Sequence, residues 1–305
     1  MRSVCQLFAL ILYGRVCDDG CTMAKMFHIV CLCEEFLRMR VYISADMEGA
    51  SGVVHAEQTE PGAREYDRAC ALMIGDVNAV VEGALAGGAS YLVVNDSHWN
   101  MRNLKIEDLH PRAHLISGSP KPFSMVQGLD ASFDCALFVG YHGMAGSSPA
   151  TIDHTYTEDS IYRVTINGLV VGELGINGYF AGQFGVPIAL VSGDQAICAE
   201  ARTLLGDVTT VQVKEAVSRT AALCLPLETS RRLLRDGAQA AMATRPPPLR
   251  PTTPVTMLVE FMKSSQADMA GLTPGSERIG PRAVQFSHDS YTEVYRAYRV
   301  MYNLA

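Results

Sequence analysis

Apolar residues occur along this chain in short strand-like runs separated by segments with helical spacing. Over residues 66–83 they recur three and four positions apart, which predicts an amphipathic helix. The runs on either side, residues 41–45 and 91–94, are short and rich in β-branched and aromatic residues, which favours strands. This alternation continues to about residue 194 and predicts an α/β fold with a layered, mostly parallel sheet and helices on both faces.

The pattern changes after residue 195. A helix, a strand and a long amphipathic helix are followed by the proline-rich connector 245–254, two more strands and a last helix. We therefore expect two domains, a catalytic α/β domain over residues 39–195 and a smaller α+β domain over residues 196–305. Within the first, Asn167-Gly168 lies between two apolar runs and predicts a β-hairpin, because this pair adopts the positive φ angles of a type I′ turn.

Residues 1–38 are expected to be an N-terminal extension outside the fold. Their apolar stretch, residues 4–13, is too short to span a bilayer, and no small-residue cleavage site follows it. The first predicted strand begins naturally at Met39, as it would if the gene start had been placed too far upstream. We expect no membrane association.

Composition narrows the class of protein. The 305 residues carry a formal net charge of -7 and no long basic run, which argues against nucleic acid as a partner. The nine cysteines show neither regular zinc-knuckle spacing nor a disulfide framework. This usage favours a reducing compartment, and we expect a cytoplasmic protein.

Four apolar runs end on groups that can bind a metal. The first ends in Asp46 and Glu48, the second in His98, the third in His142 and the fourth in Asp194. Ligands collect at the carboxyl ends of parallel strands, so these groups are expected to lie together. Each alone fits a structural role, as a cap or a hydrogen-bonded histidine. Their coincidence at four strand ends favours one site, whose carboxylates and imidazoles suit zinc or a similar divalent ion.

Two further residues belong to this hypothesis. Glu173 is flanked by apolar residues, and a buried carboxylate needs a metal or an arginine to compensate its charge. His154 lies in a polar loop from which it could reach the same site. Asp96 and Asp194 are candidates for orienting a ligand histidine.

Five segments of the chain resemble the zinc-dependent D-aminopeptidase family of bacteria, whose founding member is encoded in a dipeptide-transport operon. They are SADMEGASG at residues 44–52, VNDSH at 94–98, ISG with KPFSMV over 116–126, FVGYH at 138–142, and VGELGIN at 171–177. The resemblance runs from about Met39 to near the C-terminus and has no counterpart in residues 1–38.

This resemblance implies a centre with two zinc ions per subunit. Asp46 corresponds to the bridging ligand, Glu48 and His98 to ligands of one ion, and His142 and Glu173 to ligands of the other. His154 corresponds to the catalytic histidine. In the family that histidine lies in a Ser-His-Ser-like context, whereas Asp153 precedes it here, and the loop before it is about one residue longer. A homo-oligomer in the form of a decameric ring is also implied.

The expected function is hydrolysis of the N-terminal bond of short peptides that begin with a D-amino acid such as D-alanine. Whether His154 acts as a nucleophile or as a general acid/base stays open at this point. One alternative is a metal or small-ligand binding module without catalysis. Another is a dimetal phosphoesterase, since two-metal sites also serve phosphoryl transfer. Neither a glycine-rich phosphate cradle nor an arginine cluster follows the strand ends.

Overall fold

Thirteen strands and six α-helices make up residues 39–305, the part of the chain that this computed structural model describes. The expected N-terminal extension, residues 1–38, lies outside the described residues. The strands are β1 (Met39–Ala45), β2 (Ala89–Asp96), β3 (Ala113–Ile116), β4 (Cys135–Val139), β5 (Ile161–Ile166), β6 (Leu169–Val171), β7 (Ile188–Gly193), β8 (Thr209–Gln212), β9 (Lys214–Ser218), β10 (Ala221–Cys224), β11 (Val255–Phe261), β12 (Glu277–Gly280) and β13 (Ala283–His288). The helices are α1 (Tyr66–Ala86), α2 (Glu173–Gln183), α3 (Gln195–Leu205), α4 (Leu227–Ala241), α5 (Ser264–Ala270) and α6 (Tyr291–Leu304).

The central sheet is parallel and has the strand order β3-β2-β1-β4-β7-β8. Alternate residues of β1 serve its two faces, as the period of two in a strand requires. Val41 and Ile43 pack against α1 and α4, whereas Tyr42 packs into a second core that contains residues of α2 and α3. Helices therefore cover both faces, and the predicted α/β class and parallel sheet are confirmed.

A second, antiparallel sheet has the order β12-β13-β11-β5-β6, and α5 and α6 pack against it. Its β5–β6 hairpin turns at Asn167 and Gly168, whose φ angles of 48° and 84° confirm the turn predicted from the sequence. Strands β9 and β10 form a separate two-stranded hairpin.

The boundary expected between residues 195 and 196 does not fall between the two sheets. The antiparallel sheet takes β5 and β6 from before that point, while β8 and α4 from after it complete the parallel sheet and its covering layer. Residues 39–305 accordingly cluster as one unit. The change of pattern along the chain marks the second sheet, but pairing between distant strands exchanges elements across it.

Helix α1 has the length and apolar character of a membrane-spanning segment, with a mean hydropathy of 1.5 over its most apolar window. However, 67% of that window is buried inside the protein, where α1 packs against α4 and the central sheet. These contacts are those of a core helix.

Candidate metal centre

The five predicted metal ligands converge at the carboxyl edge of the central sheet. Asp46 and Glu48 follow β1, His98 follows β2, His142 follows β4, and Glu173 is the first residue of α2. None of the five is more than 4% exposed. The sequence prediction that these residues lie together therefore agrees with the geometry, while their roles as ligands stay predictions.

The carboxylate of Asp46 lies between the two histidines. Its Oδ1 is 3.4 Å from Nδ1 of His98, and its Oδ2 is 3.5 Å from Nε2 of His142. On the first side Glu48 Oε2 lies 3.0 Å from the same His98 nitrogen. On the second, Glu173 Oε1 lies 3.5 Å from the same His142 nitrogen. The donors thus form two groups that share Asp46.

Backbone carbonyls orient both histidines. Nε2 of His98 lies 2.8 Å from the carbonyl oxygen of Thr59, and Nδ1 of His142 lies 3.1 Å from that of Gly143. A ring N–H that donates to such a carbonyl leaves the other ring nitrogen with a free lone pair. In both rings that second nitrogen faces the carboxylates, which is the arrangement of a metal-binding histidine.

The donor atoms fit divalent zinc. Two ligands 2.0–2.2 Å from one tetrahedral ion are about 3.4 Å apart, and the nitrogen–oxygen distances here run from 3.0 to 3.5 Å. Three of these buried atoms, Asp46 Oδ2, Glu48 Oε2 and His142 Nε2, make no hydrogen bond. Buried polar atoms are rarely left without partners, and these three would find one in a bound cation.

The electrostatics of the site point the same way. Burial, followed by the charge of Glu48, raises the pKa of Asp46 to about 7. Burial lowers the pKa of His142, but Glu173 and Asp46 outweigh it and raise that pKa to about 10. Without a metal the cluster therefore holds protons to offset its negative charge, and a bound cation would replace them.

His154 lies beside this cluster. Its ring stacks on that of His142, with centroids 4.1 Å apart, and its Nε2 lies 3.7 Å from Glu173 Oε1. Its Nδ1 is 2.9 Å from the carbonyl oxygen of Ile152. Burial and the neighbouring His142 lower the pKa of His154, which favours a neutral ring. The same geometry would also let His154 ligate a metal with His142 and Glu173.

Asp153, which directly precedes His154, anchors this loop. Its Oδ1 lies 3.2 Å from Nε of Arg219, and its Oδ2 accepts a hydrogen bond of 2.8 Å from the backbone N–H of Gly146. Asp153 thus braces the segment that carries His154.

Comparisons with known proteins show the family of this chain. The sequence profile of peptidase family M55, D-aminopeptidase, matches residues 39–300. This chain belongs to the D-aminopeptidase family. It is 41% identical to the D-aminopeptidase of Bacillus subtilis (strain 168) over 270 residues, which are 88% of this chain and 98% of that protein.

A solved structure is similar as well. It is that of the Zn-dependent D-aminopeptidase DppA from Bacillus subtilis, described as a self-compartmentalizing protease, with a TM-score of 0.85 and 40% identity. The match covers 87% of this chain and 97% of that one. The expected family and the expected enzyme class, a hydrolase of the aminopeptidase type, are therefore confirmed.

The candidate site is supported by a buried chain of hydrogen bonds that sequence reasoning missed. Ser44 Oγ lies 2.9 Å from Ser97 Oγ and 2.8 Å from the Tyr141 hydroxyl. Asn177 Nδ2 donates to that hydroxyl at 3.1 Å, and its Oδ1 accepts from Tyr156 at 2.7 Å. Each member lies within four residues of a site residue, so the chain joins the segments that carry them. Ser, Tyr and Asn give no periodic signal that would have revealed it.

Buried Lys214 fixes the turn that carries Glu48. Its Nζ donates to the carbonyl oxygens of Glu48, Ala50 and Val53. The turn also packs tightly on the strand beside it, because a Cβ at Gly49 would lie 1.8 Å from the Tyr141 carbonyl oxygen. Only glycine fits this approach.

Asp96 and Asp194 do not contact the histidines they were expected to orient. Asp96 accepts hydrogen bonds from the backbone N–H groups of Asn103 and Leu104. Asp194 caps α3 and also accepts from Thr151. Both carboxylates shape loops around the site, and carbonyl oxygens orient the rings instead.

Proposed function

We propose that this D-aminopeptidase uses two zinc ions per subunit. Asp46 would bridge them, with Glu48 and His98 on one ion and His142 and Glu173 on the other. The observation that carries the proposal is the position of Asp46, whose two oxygens face different histidines at 3.4 and 3.5 Å. The Zn-dependence of the Bacillus subtilis relative supports the choice of metal.

The chain's own groups supply the rest of the chemistry. When bound, zinc offers Lewis acidity, which polarises a carbonyl and lowers the pKa of water. His154, neutral and held at Nδ1, would accept at Nε2 a proton from the water that attacks the scissile carbonyl. It would then return that proton to the leaving amine. The loop that Asp153 braces keeps this nitrogen beside Glu173.

The proposed substrates are short peptides with an N-terminal D-amino acid such as D-alanine. Family membership supports the D-residue, and a cavity of about 410 Å³ above the metal centre has room for a short peptide. The substrate's α-amine would meet the carboxylates of the centre. A phosphoesterase has less support, because Arg299 is the one lysine or arginine among the residues of 39–305 that line this cavity.

We also propose that the protein is cytoplasmic and assembles into a decameric ring. The relative is a self-compartmentalizing protease. Large apolar side chains on the antiparallel sheet and next to it, Leu169, Val170, Met262 and Ile279, are between 42% and 47% exposed and would suit a subunit interface. A mass ten times the 33.0 kDa chain mass in light scattering would support the ring, and a stable monomer would contradict it.

Kinetics on matched peptides test the activity. Zinc-loaded protein should release D-alanine from D-alanyl-D-alanine and should cleave L-alanyl-L-alanine much more slowly. Equal rates on both dipeptides, or turnover of a phosphate ester with none of either peptide, would contradict the proposal.

A further inference from the structure

The cavity above the metal centre has an asymmetric distribution of charge. The carboxylates of Asp46, Glu48 and Glu173 form its floor, and Arg299 contributes a permanent positive charge to its wall. An aminopeptidase substrate brings one end, the α-amine, to the floor. A short peptide held within the same cavity also brings a second charged group, its C-terminal carboxylate.

Arg299 is available to an anion. Its Nη2 donates to the backbone carbonyl of Lys121 at 3.3 Å, and its guanidinium carbon lies 4.9 Å from the ring centroid of Tyr302. Within residues 39–305 it forms no ion pair at 4.0 Å or less, although seven other arginines there do. They are Arg68, Arg163, Arg219, Arg232, Arg235, Arg278 and Arg296. The charge is thus held in place but not neutralised.

A continuous wall links this arginine to the metal centre. The backbone N–H of Tyr156 donates to Glu173 Oε1 at 2.6 Å. The ring of Tyr156 lies 5.3 Å from that of Tyr302, on which Arg299 rests. All four residues line the cavity, so a peptide that lies along this aromatic wall would run from the metal centre to the guanidinium.

Carboxylates at the opening of the cavity disfavour the binding of a negatively charged group there. Glu60, Glu158 and Asp159 also line it, and all three are exposed. Glu158 already pairs with Arg219. These carboxylates repel an anionic peptide end, so the position beside Arg299 is the favourable one.

We propose that Arg299 binds the C-terminal carboxylate of a short peptide whose N-terminal bond lies at the metal centre. The proposal rests on the aminopeptidase function and makes Arg299 a specificity residue for free di- and tripeptides. A guanidinium suits this role, because its planar N–H groups match the two oxygens of a carboxylate. Peptides with a blocked or distant C-terminus would lose this contact.

Paired substrates test the proposal kinetically. D-Alanyl-D-alanine and D-alanyl-glycyl-glycine are each compared with their C-terminal amides, which share the scissile bond and lack the negative charge. Arg299→Gln should lower kcat/KM for the free acids by roughly 10- to 100-fold, mainly through KM, and should leave the amides nearly unchanged. Arg299→Lys keeps the positive charge but not the planar pair of N–H donors. Its kcat/KM for the free acids should lie between those of the wild type and Arg299→Gln. Arg296→Gln is the matched control, because Arg296 is on the same helix and does not line the cavity.

Binding provides a readout that does not depend on turnover. Trp99 is the one tryptophan of the chain and lines the same cavity, so its fluorescence reports occupancy. Stopped-flow mixing with each acid and amide should give tighter binding of the acid, and Arg299→Gln should remove the difference. If the wild type hydrolyses no peptide but shows this difference, the aminopeptidase function fails and the carboxylate site stands.

Two results would overturn the role of Arg299. One is a wild type that treats acid and amide alike in both kinetics and binding. The other is an Arg299→Gln variant that is properly folded by circular dichroism and loses the same factor on acids and amides.

Discussion

Replacing His154 with alanine separates a catalytic role from a metal-binding one. A positioned acid/base group contributes roughly 10²- to 10⁴-fold, or about 2.7–5.5 kcal/mol of transition-state stabilisation. His154 approaches one site carboxylate, Glu173 Oε1, at 3.7 Å. The contacts of 3.0 to 3.5 Å among the other five residues do not involve it. We therefore expect turnover to fall by two to four orders of magnitude at unchanged zinc content.

The assay measures zinc by mass spectrometry and D-alanine release on the same preparation. The variant also loses the hydrogen bond to the Ile152 carbonyl and the stacking on His142, so the free energy of unfolding should fall by roughly 1–3 kcal/mol. His288→Ala is the control, because that histidine is exposed and its Nδ1 accepts from a neighbouring backbone N–H outside the site.

Two results would refute this reasoning. Loss of zinc from His154→Ala would make His154 a ligand together with His142 and Glu173, as their spacing allows. Full activity would remove it from proton transfer altogether.

Two further predictions concern the support of the site. Burial raises the pKa of Asp76 from 3.8 to about 6, so the folded state holds more protons than the unfolded state at pH 4–6. The free energy of unfolding of the wild type therefore falls by roughly 3 kcal/mol as the pH rises through this window. The Asp76→Asn variant has no group at this position that titrates in this window. In urea unfolding, its free energy of unfolding relative to the wild type should therefore rise by that amount from pH 4 to pH 7. A difference between the two proteins that stays constant with pH would contradict the argument. Tyr141→Phe removes one hydrogen bond from each of its buried partners, Ser44 and Asn177. It should lower stability by about 1–3 kcal/mol and zinc affinity by roughly tenfold. Tyr291→Phe loses one buried hydroxyl bond to a carbonyl and should lose stability alone; equal zinc loss in both would count against the network.

The parallel sheet and the convergence of the site could be predicted because both follow from local pattern. Asp46, His98 and His142 each follow a strand-like run, and in a parallel sheet the carboxyl ends of the strands lie at the same edge. The burial of Glu173 could be predicted for the same reason, because its neighbours in the sequence are apolar.

What the sequence could not reveal depends on contacts between distant segments. The carbonyl oxygen of Thr59, which orients His98, has no side-chain signature, and neither does the pairing of β5 with β11 that crosses the expected domain boundary. In the sequence Lys214 is indistinguishable from an exposed lysine of a strand. Its role depends on its contact with the turn after β1, which is distant in the sequence. The carboxylates of Asp96 and Asp194 could in principle orient a histidine, but they accept hydrogen bonds from backbone N–H groups instead.

The zinc content of the active protein tests the central claim most directly. Protein purified without chelator should contain two zinc ions per chain, should lose activity on D-alanyl-D-alanine when both are removed, and should regain it on addition of zinc. Glu173→Gln should lower the occupancy, because it removes a negative charge from the group of donors proposed to hold the second ion. Full activity after complete metal removal, or full activity with one ion per chain, would contradict the account.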